Sequence, residues 1–134
     1  MIDQNIGFIG LGNVGSKLAD NILLADYNLF IYDIDKKKSD DLLKKGAIWK
    51  NNIKDIVNNT SLIITCLPSP QAVSEVVENK SGMIKNISNK HLWIEMSTTD
   101  EKEMIRLSKM IESKGASVLE APVTGGQHRA RSGN

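Results

Sequence analysis

Short apolar runs alternate along this chain with longer segments in which apolar residues recur at helical spacing. Parallel strands that are covered on both faces read as continuous apolar runs, and a helix usually connects one such strand to the next. The pattern therefore predicts an α/β fold with a doubly wound parallel sheet of six strands. The predicted strands lie at 6–9, 29–32, 47–49, 62–67, 92–95 and 118–120.

The segments between these strands predict helices. Val14, Leu18 and Ile22 recur at four-residue spacing, which gives the first helix one apolar stripe to lie on the sheet. Further helices are predicted at 40–45 and at 53–57. A fourth is predicted to begin past Pro70, which suits a first helical turn or the loop before it, and to run through Val77.

A fifth helix is predicted from the segment Thr98-Thr99-Asp100-Glu101, which has the capping-box spacing of a hydroxyl followed by Glu three residues later. Thr98 is thus the expected cap, and Gly115 the expected end of the helix. After the last strand we expect a solvated loop that carries Arg129 and Arg131.

Composition limits the class of protein. A chain of 134 residues is long enough for one domain and too short for two of typical size. A net charge of +1 gives no basic surface for nucleic acid or for an anionic membrane. The single Cys66 cannot form an internal disulfide, and its apolar surroundings predict a buried, inert thiol. Residues 1–5 lack the features of a signal peptide, so we expect a cytoplasmic protein that does not enter a membrane.

The histidines and aromatic residues predict no further chemistry. His91 and His128 have no acidic or cysteine partner at metal-ligand spacing, and no Ser-His-Asp arrangement is indicated, so we expect no metal and no hydrolase site. Tyr32, Trp49 and Trp93 lie in or beside strands, where core packing is the expected role.

The segment Gly10-Leu11-Gly12-Asn13-Val14-Gly15 follows the first strand directly and opens the first helix. At such a place the first glycine permits a tight turn, the second lets a pyrophosphate approach the backbone, and the third lets the helix pack closely on the sheet. Unpaired N–H groups at the helix N-terminus attract phosphate without a basic side chain. The segment predicts a Rossmann dinucleotide site with strand order 3-2-1-4-5-6; a glycine turn without a ligand is the alternative.

Asp33 ends the second predicted strand at the distance from the glycine segment that suits a ribose-binding carboxylate. A carboxylate there accepts hydrogen bonds from both ribose hydroxyls and repels a 2′-phosphate, so NAD is favoured over NADP. Asp35 is a weaker candidate for the same role. Residues 36–38 are three lysines that suit either a phosphate clamp or, by preference, a solvated helix start.

Four segments together resemble one family. They are Phe8 to Gly15, Leu67-Pro68, Glu95-Met96-Ser97-Thr98, and Glu120-Ala121-Pro122-Val123-Thr124-Gly125-Gly126. They are similar to the cofactor signature, the Leu-Pro loop, the Asp-x-Ser-Thr motif and the Asp-Ala-Pro-Val-Ser-Gly-Gly substrate motif of the β-hydroxyacid dehydrogenases. That family includes 3-hydroxyisobutyrate dehydrogenase, tartronate semialdehyde reductase and 6-phosphogluconate dehydrogenase. This chain departs from the family pattern at Val14, where Met is usual, and at Ala72, where Asn is frequent.

The resemblance implies which residues bind cofactor and substrate. It implies NAD contacts along the glycine segment, at Leu67 and Pro68, and at Ser97 and Thr98. Thr124, Gly125 and Gly126 are implied to bind the carboxylate and hydroxyl of a small β-hydroxy acid, for which a hydroxyl and glycine N–H groups are chemically suited. A simple turn after the last strand is the alternative for that loop.

In the family, the catalytic Lys lies on a helix beyond the point at which this sequence stops, followed by an all-helical domain that closes over the site and builds the dimer. No residue here matches that Lys. We therefore expect residues 1–134 to form the NAD-binding domain of a homo-oligomeric NAD-dependent dehydrogenase, truncated and inactive by itself. The alternative is a nucleotide-sensing Rossmann module without catalysis, which shares the glycine turn and the acidic residue but needs no substrate loop.

Overall fold

The computed structural model describes residues 4–133, and every structural statement below concerns that part of the chain. The strands are β1 (Asn5–Ile9), β2 (Asn28–Tyr32), β3 (Ile48–Trp49), β4 (Leu62–Thr65), β5 (Leu92–Glu95) and β6 (Ser117–Glu120). The α-helices are α1 (Gly15–Leu24), α2 (Asp40–Lys44), α3 (Ile53–Asn59), α4 (Pro70–Glu78), α5 (Glu101–Glu112) and α6 (Gly126–Ser132). Two 3₁₀ turns cover Lys36–Ser39 and Met83–Lys85.

The six strands form one parallel sheet in the order β3-β2-β1-β4-β5-β6, which confirms the predicted strand order. β1 pairs with both β2 and β4, so that Ile9 lies beside Tyr32 on one side and beside Thr65 on the other. The chain crosses over in opposite directions on the two sides of β1, and the boundary between β1 and β4 is therefore the switch point of the sheet. Ligands of such sheets collect at the carboxyl ends of the strands there.

Helices cover both faces of the sheet, and the predicted helices are present. On one face α3, α4 and α5 bury a core that includes Val73, Val77 and the fully enclosed Trp93. On the other face α1 and α2 pack over a second core. The centre of the α1 contact is Ala19 with Gly15, whereas Leu18 from the predicted apolar stripe lies at its half-buried flank.

Two predicted strands are longer than those observed. β3 begins at Ile48, one residue after its predicted start, and β4 ends at Thr65 rather than at residue 67. The Cys66 N–H still donates to the Ile9 carbonyl at 3.0 Å, but the Leu67 N–H donates to the Ser97 hydroxyl at 2.7 Å instead of to a strand. A side chain thus replaces the sheet partner, and the chain leaves the sheet early.

The prediction that Thr98 caps the fifth helix was wrong. The cap of α5 is Asp100, whose carboxylate accepts the Glu103 N–H at 3.1 Å. Asp is as good a cap as Thr, and a helix that begins at Glu101 places Asp100 at the cap position. Thr98 remains in the extended connection between β5 and α5, with an exposed side chain.

The prediction of a loop over the last residues was also wrong, because residues 126–132 form α6. Only Ala130 of this helix is buried, and its carbonyl accepts a hydrogen bond from the Asn21 side chain of α1. Arg129 and Arg131 are exposed, as expected, but they belong to a helix that packs on α1.

None of the helices within residues 4–133 has both the length and the apolar character needed to cross a membrane. The expected cytoplasmic setting stays a prediction, and part of its basis, residues 1–3, lies outside the described range.

Candidate functional site

A cavity of about 890 Å³ opens at the carboxyl ends of β1, β2, β4 and β5. Small-molecule and cofactor sites in proteins typically have volumes of roughly 300–1,000 Å³. The cavity lies at the switch point, and its lining includes Gly10, Asp33, Leu67 and Thr98 from the connections that follow β1, β2, β4 and β5. The sheet thus brings together residues from distant parts of the sequence.

The three glycines of the turn after β1 have different surroundings. Gly10 has a φ of +102°, and a Cβ placed on it would lie 2.2 Å from the Cys66 carbonyl oxygen. A Cβ on Gly15 would lie 2.2 Å from the Gly10 carbonyl oxygen. A Cβ on Gly12 would meet no heavy atom within 4 Å. Gly10 and Gly15 are therefore required by the protein's own backbone, whereas Gly12 leaves open space in the cavity.

The N-terminus of α1 faces this open space. Within residues 4–133, the N–H groups of Gly12, Asn13 and Val14 donate to no protein acceptor, since the first helical bonds run from Ser16 to the Gly12 carbonyl and from Leu18 to the Val14 carbonyl. Unpaired N–H groups at the start of a helix carry partial positive charge. They suit the pyrophosphate of a dinucleotide, so the residues present fit such a cofactor.

Leu11 differs from its neighbours in the turn. Its side chain is buried in the core with Phe8 and Ala19, and its N–H donates to Asp33 Oδ2 at 2.7 Å. The structure therefore places Leu11 beneath the turn, where it supports the conformation of the residues that line the cavity.

Asp33 lies at the cavity wall directly after β2 and is 9% exposed. Its Oδ1 accepts the Asp35 N–H at 2.8 Å, and its Oδ2 accepts the Leu11 N–H. Each carboxylate oxygen can accept a further hydrogen bond, so both remain available to a ligand diol. The rival candidate Asp35 is exposed and does not line the cavity; its carboxylate accepts the Lys37 N–H at 3.1 Å.

The three lysines form the exposed 3₁₀ turn after β2. The Lys36 ammonium lies 5.6 Å from the centre of the Trp49 ring, and Trp49 in turn packs against Tyr32. Lys38 lines the cavity on the same side as Asp33. The turn is exposed to solvent, which agrees with the preferred interpretation of the three lysines as a solvated helix start. Lys38 alone of the three lines the candidate site.

The opposite end of the cavity is built by the loops after β4 and β5. Leu67, Pro68, Ser97 and Thr98 line this end. Ser97 is buried, and its hydroxyl oxygen accepts the Leu67 N–H, so the two loops are joined directly. Thr98 is exposed toward the cavity because it does not cap α5.

Behind these loops lies a buried carboxylate that the sequence analysis did not assign to the site. Glu95 is fully enclosed; its Oε2 accepts the Thr65 hydroxyl at 2.8 Å, and its Oε1 accepts the Ser97 N–H. Thr65 also accepts the Trp93 indole N–H at 2.8 Å. Burial raises the pKa of Glu95, while the hydrogen bonds from Ser97 and Thr65 oppose that rise.

Cys66 is half-buried and lines the cavity, so the expectation of a buried thiol was wrong. β4 ends at Thr65, and the thiol therefore lies just beyond the carboxyl end of this strand rather than within the sheet. Burial, with a smaller contribution from the nearby Glu95 carboxylate, raises the pKa of Cys66 to about 11. The thiol is accordingly protonated at neutral pH and unreactive, which agrees with the inert character expected of it.

Several apolar residues that were not predicted to bind a ligand also line the cavity. They are Tyr32, Ile34, Ile53, Ala72, Val76 and Met96. Ile34 is 94% exposed, which is unusual for a large apolar side chain and places an uncovered apolar surface at the rim beside Asp33. No local pattern predicts this group, because its members come from separate elements.

The loop after β6 contributes to two cavities. Val123 and Gly126 line the large cavity, and Thr124 lines an adjoining cavity of about 210 Å³ together with Arg129. Gly125 has a φ of +90°, and a Cβ on it would lie 2.1 Å from the Arg129 side chain. Of the three predicted substrate residues, Gly126 therefore lines the same cavity as the predicted cofactor residues, and Thr124 lines the adjoining smaller cavity.

The histidines have structural surroundings. His91 is buried; its Nδ1 accepts the Ser88 N–H at 3.0 Å, which leaves Nε2 to donate to the Val57 carbonyl at 2.9 Å. His128 is exposed on α6. Among residues 4–133, no cluster of three or more His, Cys, Asp or Glu side chains could hold a metal ion.

Comparison with known proteins gives this geometry a context. Residues 5–134 match the family model described as the NAD binding domain of 6-phosphogluconate dehydrogenase. An uncharacterized oxidoreductase of Bacillus subtilis, YkwC, is 35% identical over 97% of this chain and 45% of its own length. Mitochondrial 3-hydroxyisobutyrate dehydrogenase of Rattus norvegicus is 36% identical over 96% of this chain and 38% of its own length.

A solved structure, Psf3 in complex with NADP+ and 2-OPP, superposes with a TM-score of 0.91 at 25% identity. The match covers 96% of this chain and 45% of that one. This chain thus spans less than half the length of each of these three proteins.

Proposed function

The chain belongs to the family of the NAD-binding domain of 6-phosphogluconate dehydrogenase, and from this we propose that it binds NAD for hydride exchange with a small β-hydroxy acid such as 3-hydroxyisobutyrate. The observation that carries the proposal is a single cavity that joins the open face of Gly12, the Asp33 carboxylate and Gly126 of the substrate-like motif. A nucleotide sensor requires only the first two of these.

In this proposal the cofactor lies across the switch point. Asp33 accepts the hydroxyls of the adenosine ribose, and the N–H groups of residues 12–14 bind the pyrophosphate. The order of the strands then directs the other end of the dinucleotide toward the loops after β4 and β5. Leu67, Pro68, Ser97 and Thr98 accordingly contact the nicotinamide half. When bound, nicotinamide supplies the hydride acceptor that no side chain provides.

The substrate's carboxylate and hydroxyl bind at the loop of Thr124, Gly125 and Gly126. Backbone N–H groups of glycines with positive φ form concave sites that suit an anion, and Gly125 and Gly126 have φ values of +90° and +59°. Arg129 borders the same small cavity as Thr124 and adds positive charge there. In the proposed reaction, this chain orients the substrate and supplies positive charge beside it.

We further propose that the 134-residue chain alone does not turn over substrate. A proton donor must lie within hydrogen-bond reach of the substrate hydroxyl. Of the titratable residues that line the large cavity, Tyr32, Asp33 and Lys38 lie at or after β2, Glu75 lies on α4, and Cys66 has a pKa of about 11. Activity then requires a lysine and a second domain from a longer form of the protein, as in the family, where a homo-oligomer is also expected.

Two measurements test the proposed function. Isothermal titration of the purified chain with NAD is expected to give one site, with weaker binding of NADP. NADH absorbance, followed with a panel of 3-hydroxy acids, is expected to show no turnover by this chain. Absence of any dinucleotide binding would refute the cofactor assignment, and appreciable turnover would refute the requirement for a further lysine. Binding of NAD by a longer form that oxidises no hydroxy acid would favour the sensor alternative.

A further inference from the structure

The buried carboxylate of Glu95 lines neither cavity and is closed to solvent, yet it lies under the two loops that follow β4 and β5. Glu95 is 0% exposed, whereas buried carboxylates are rare in proteins unless they are fully paired. Within residues 4–133 no buried side-chain polar atom lacks a partner, and each oxygen of this carboxylate accepts a hydrogen bond.

The donors form one connected chain. The Trp93 indole N–H donates to the Thr65 hydroxyl, which donates to Glu95 Oε2. Glu95 Oε1 accepts the Ser97 N–H, and the Ser97 hydroxyl accepts the Leu67 N–H. The chain of hydrogen bonds therefore runs from the core of the sheet through Glu95 to both cavity loops.

Side chains as well as strand pairing hold these two loops. The last backbone N–H groups of these two segments that donate to a neighbouring strand are those of Cys66, which donates to the Ile9 carbonyl, and of Met96, which donates to the Thr65 carbonyl. Beyond them, at Leu67 and Ser97, the backbone N–H groups are held by side chains instead. Glu95 is the group on which that arrangement rests, since its carboxylate fixes Ser97 and Ser97 fixes Leu67.

We propose that Glu95 is a positioning residue for the nicotinamide half of the cofactor, acting through Ser97 and Leu67. The inference rests on the proposed function, because it assumes that the cavity takes a dinucleotide with its adenosine half at Asp33. The adenosine half lies at β2 and the glycine turn, where Glu95 has no contact. The residue therefore acts on one half of the cofactor and not on the other.

The test compares two ligands that differ only in the nicotinamide ring. NADH carries the nicotinamide, and ADP-ribose lacks it. Both are titrated into the purified chain and into Glu95→Ala, with the emission of bound NADH recorded as a signature of the nicotinamide environment. Glu95→Ala is expected to weaken NADH about tenfold, the loss expected from displaced hydrogen-bonding loops, and to change ADP-ribose less than about twofold. The emission of bound NADH should shift toward that of free NADH.

Three variants make the test specific. Glu95→Gln keeps an acceptor for the Ser97 N–H and should bind NADH within about threefold of the unaltered chain. Ser97→Ala, a smaller change, should reproduce the selective loss if Glu95→Ala does not fold. Glu112→Ala removes an exposed carboxylate from the end of α5 and should change neither ligand.

The outcomes separate this inference from the proposed function. Equal weakening of NADH and ADP-ribose in Glu95→Ala and Ser97→Ala, or no weakening of either, overturns the positioning role while dinucleotide binding stands. An unaltered chain that binds NADH no more tightly than ADP-ribose also overturns it, because the nicotinamide end then contributes nothing. An unaltered chain that binds neither ligand overturns the proposed function itself, and this inference with it.

Discussion

The Asp33 carboxylate accepts the Leu11 N–H at 2.7 Å, so the acidic end of β2 is tied to the glycine turn at the end of β1. A side chain expected to bind the ribose therefore also fixes the loop expected to bind the pyrophosphate. The two parts of the site are coupled, and a change at Asp33 affects both.

Replacing Asp33 with Ala should weaken NAD binding by on the order of 1–3 kcal/mol, because charged hydrogen bonds to the ribose are lost and Leu11 is released. NADP should be weakened less, since the replacement also removes the repulsion of its 2′-phosphate. Calorimetry with both dinucleotides measures the change. Asp35→Ala is the control, because that exposed carboxylate does not line the cavity. Tighter binding of NADP than of NAD by the unaltered chain would instead indicate that Lys38 serves as a phosphate clamp.

Gly12→Val should abolish NAD binding and leave the fold intact, because the new side chain projects into empty space within the cavity. Gly15→Ala should behave in the opposite way, with loss of stability, since its Cβ would lie 2.2 Å from the Gly10 carbonyl oxygen. Circular dichroism and thermal unfolding report the fold, and titration with NAD reports the site. Normal NAD binding by a folded Gly12→Val chain would exclude the glycine turn as the binding site.

The cap of α5 can be separated from the cavity by two substitutions. Asp100→Ala should destabilise the chain by about 1 kcal/mol, the usual value for loss of a cap, and should leave NAD affinity unchanged. Thr98→Ala should leave stability unchanged and weaken NADH, because Thr98 lines the cavity and caps nothing. Chemical denaturation gives the first quantity and titration the second. If Thr98→Ala is the destabilising member of the pair, the helix begins earlier than Glu101.

Cys66 should react slowly with iodoacetamide, since its pKa is raised from 9.0 to about 11 and only the thiolate is nucleophilic. At pH 8 the thiolate fraction should be about a hundredfold below that of the unfolded chain. Because the folded state holds this proton more tightly, its stabilising effect is complete below pH 9.0 and is lost as the pH rises through about 11. Alkylation followed by mass spectrometry across this range is the measurement, with the denatured chain as reference. Equal rates for folded and denatured chains at pH 8 would contradict the shielded position of Cys66.

The sheet could be predicted from the sequence because each strand is a local apolar run and the helices that connect the strands have local apolar periods. The predictions fail where contacts between residues far apart in the sequence determine the local structure. The end of β4 depends on Ser97, which lies thirty residues away along the chain and takes the Leu67 N–H. Residues 126–132 have no apolar period, and α6 is recognisable only through its contact with Asn21 of α1.

In the candidate site, too, the residues with a local sequence pattern could be predicted and those that depend on distant contacts could not. The glycine turn and Asp33 could be predicted because fixed spacings give them fixed places relative to β1 and β2. Thr98 was assigned to the cavity by resemblance, but its second role as a cap was wrong because Asp100 satisfies the same requirement. Glu95 could not be identified as a supporting residue, because neither Thr65 nor Trp93 signals in the sequence that its side chain points toward a carboxylate.

The position of β1 between β2 and β4 has a consequence for how this chain folds during synthesis. β1 is made first, yet one of its two edges pairs only with residues 62–65, so the central strand stays half-paired until the middle of the chain has been made. Parallel pairings over such sequence separations form slowly, and an open apolar edge is prone to pair with other chains in the meantime. Aggregation of nascent or refolding chains is therefore expected to begin at β1, and conditions that hasten β4 docking should improve the yield of folded protein.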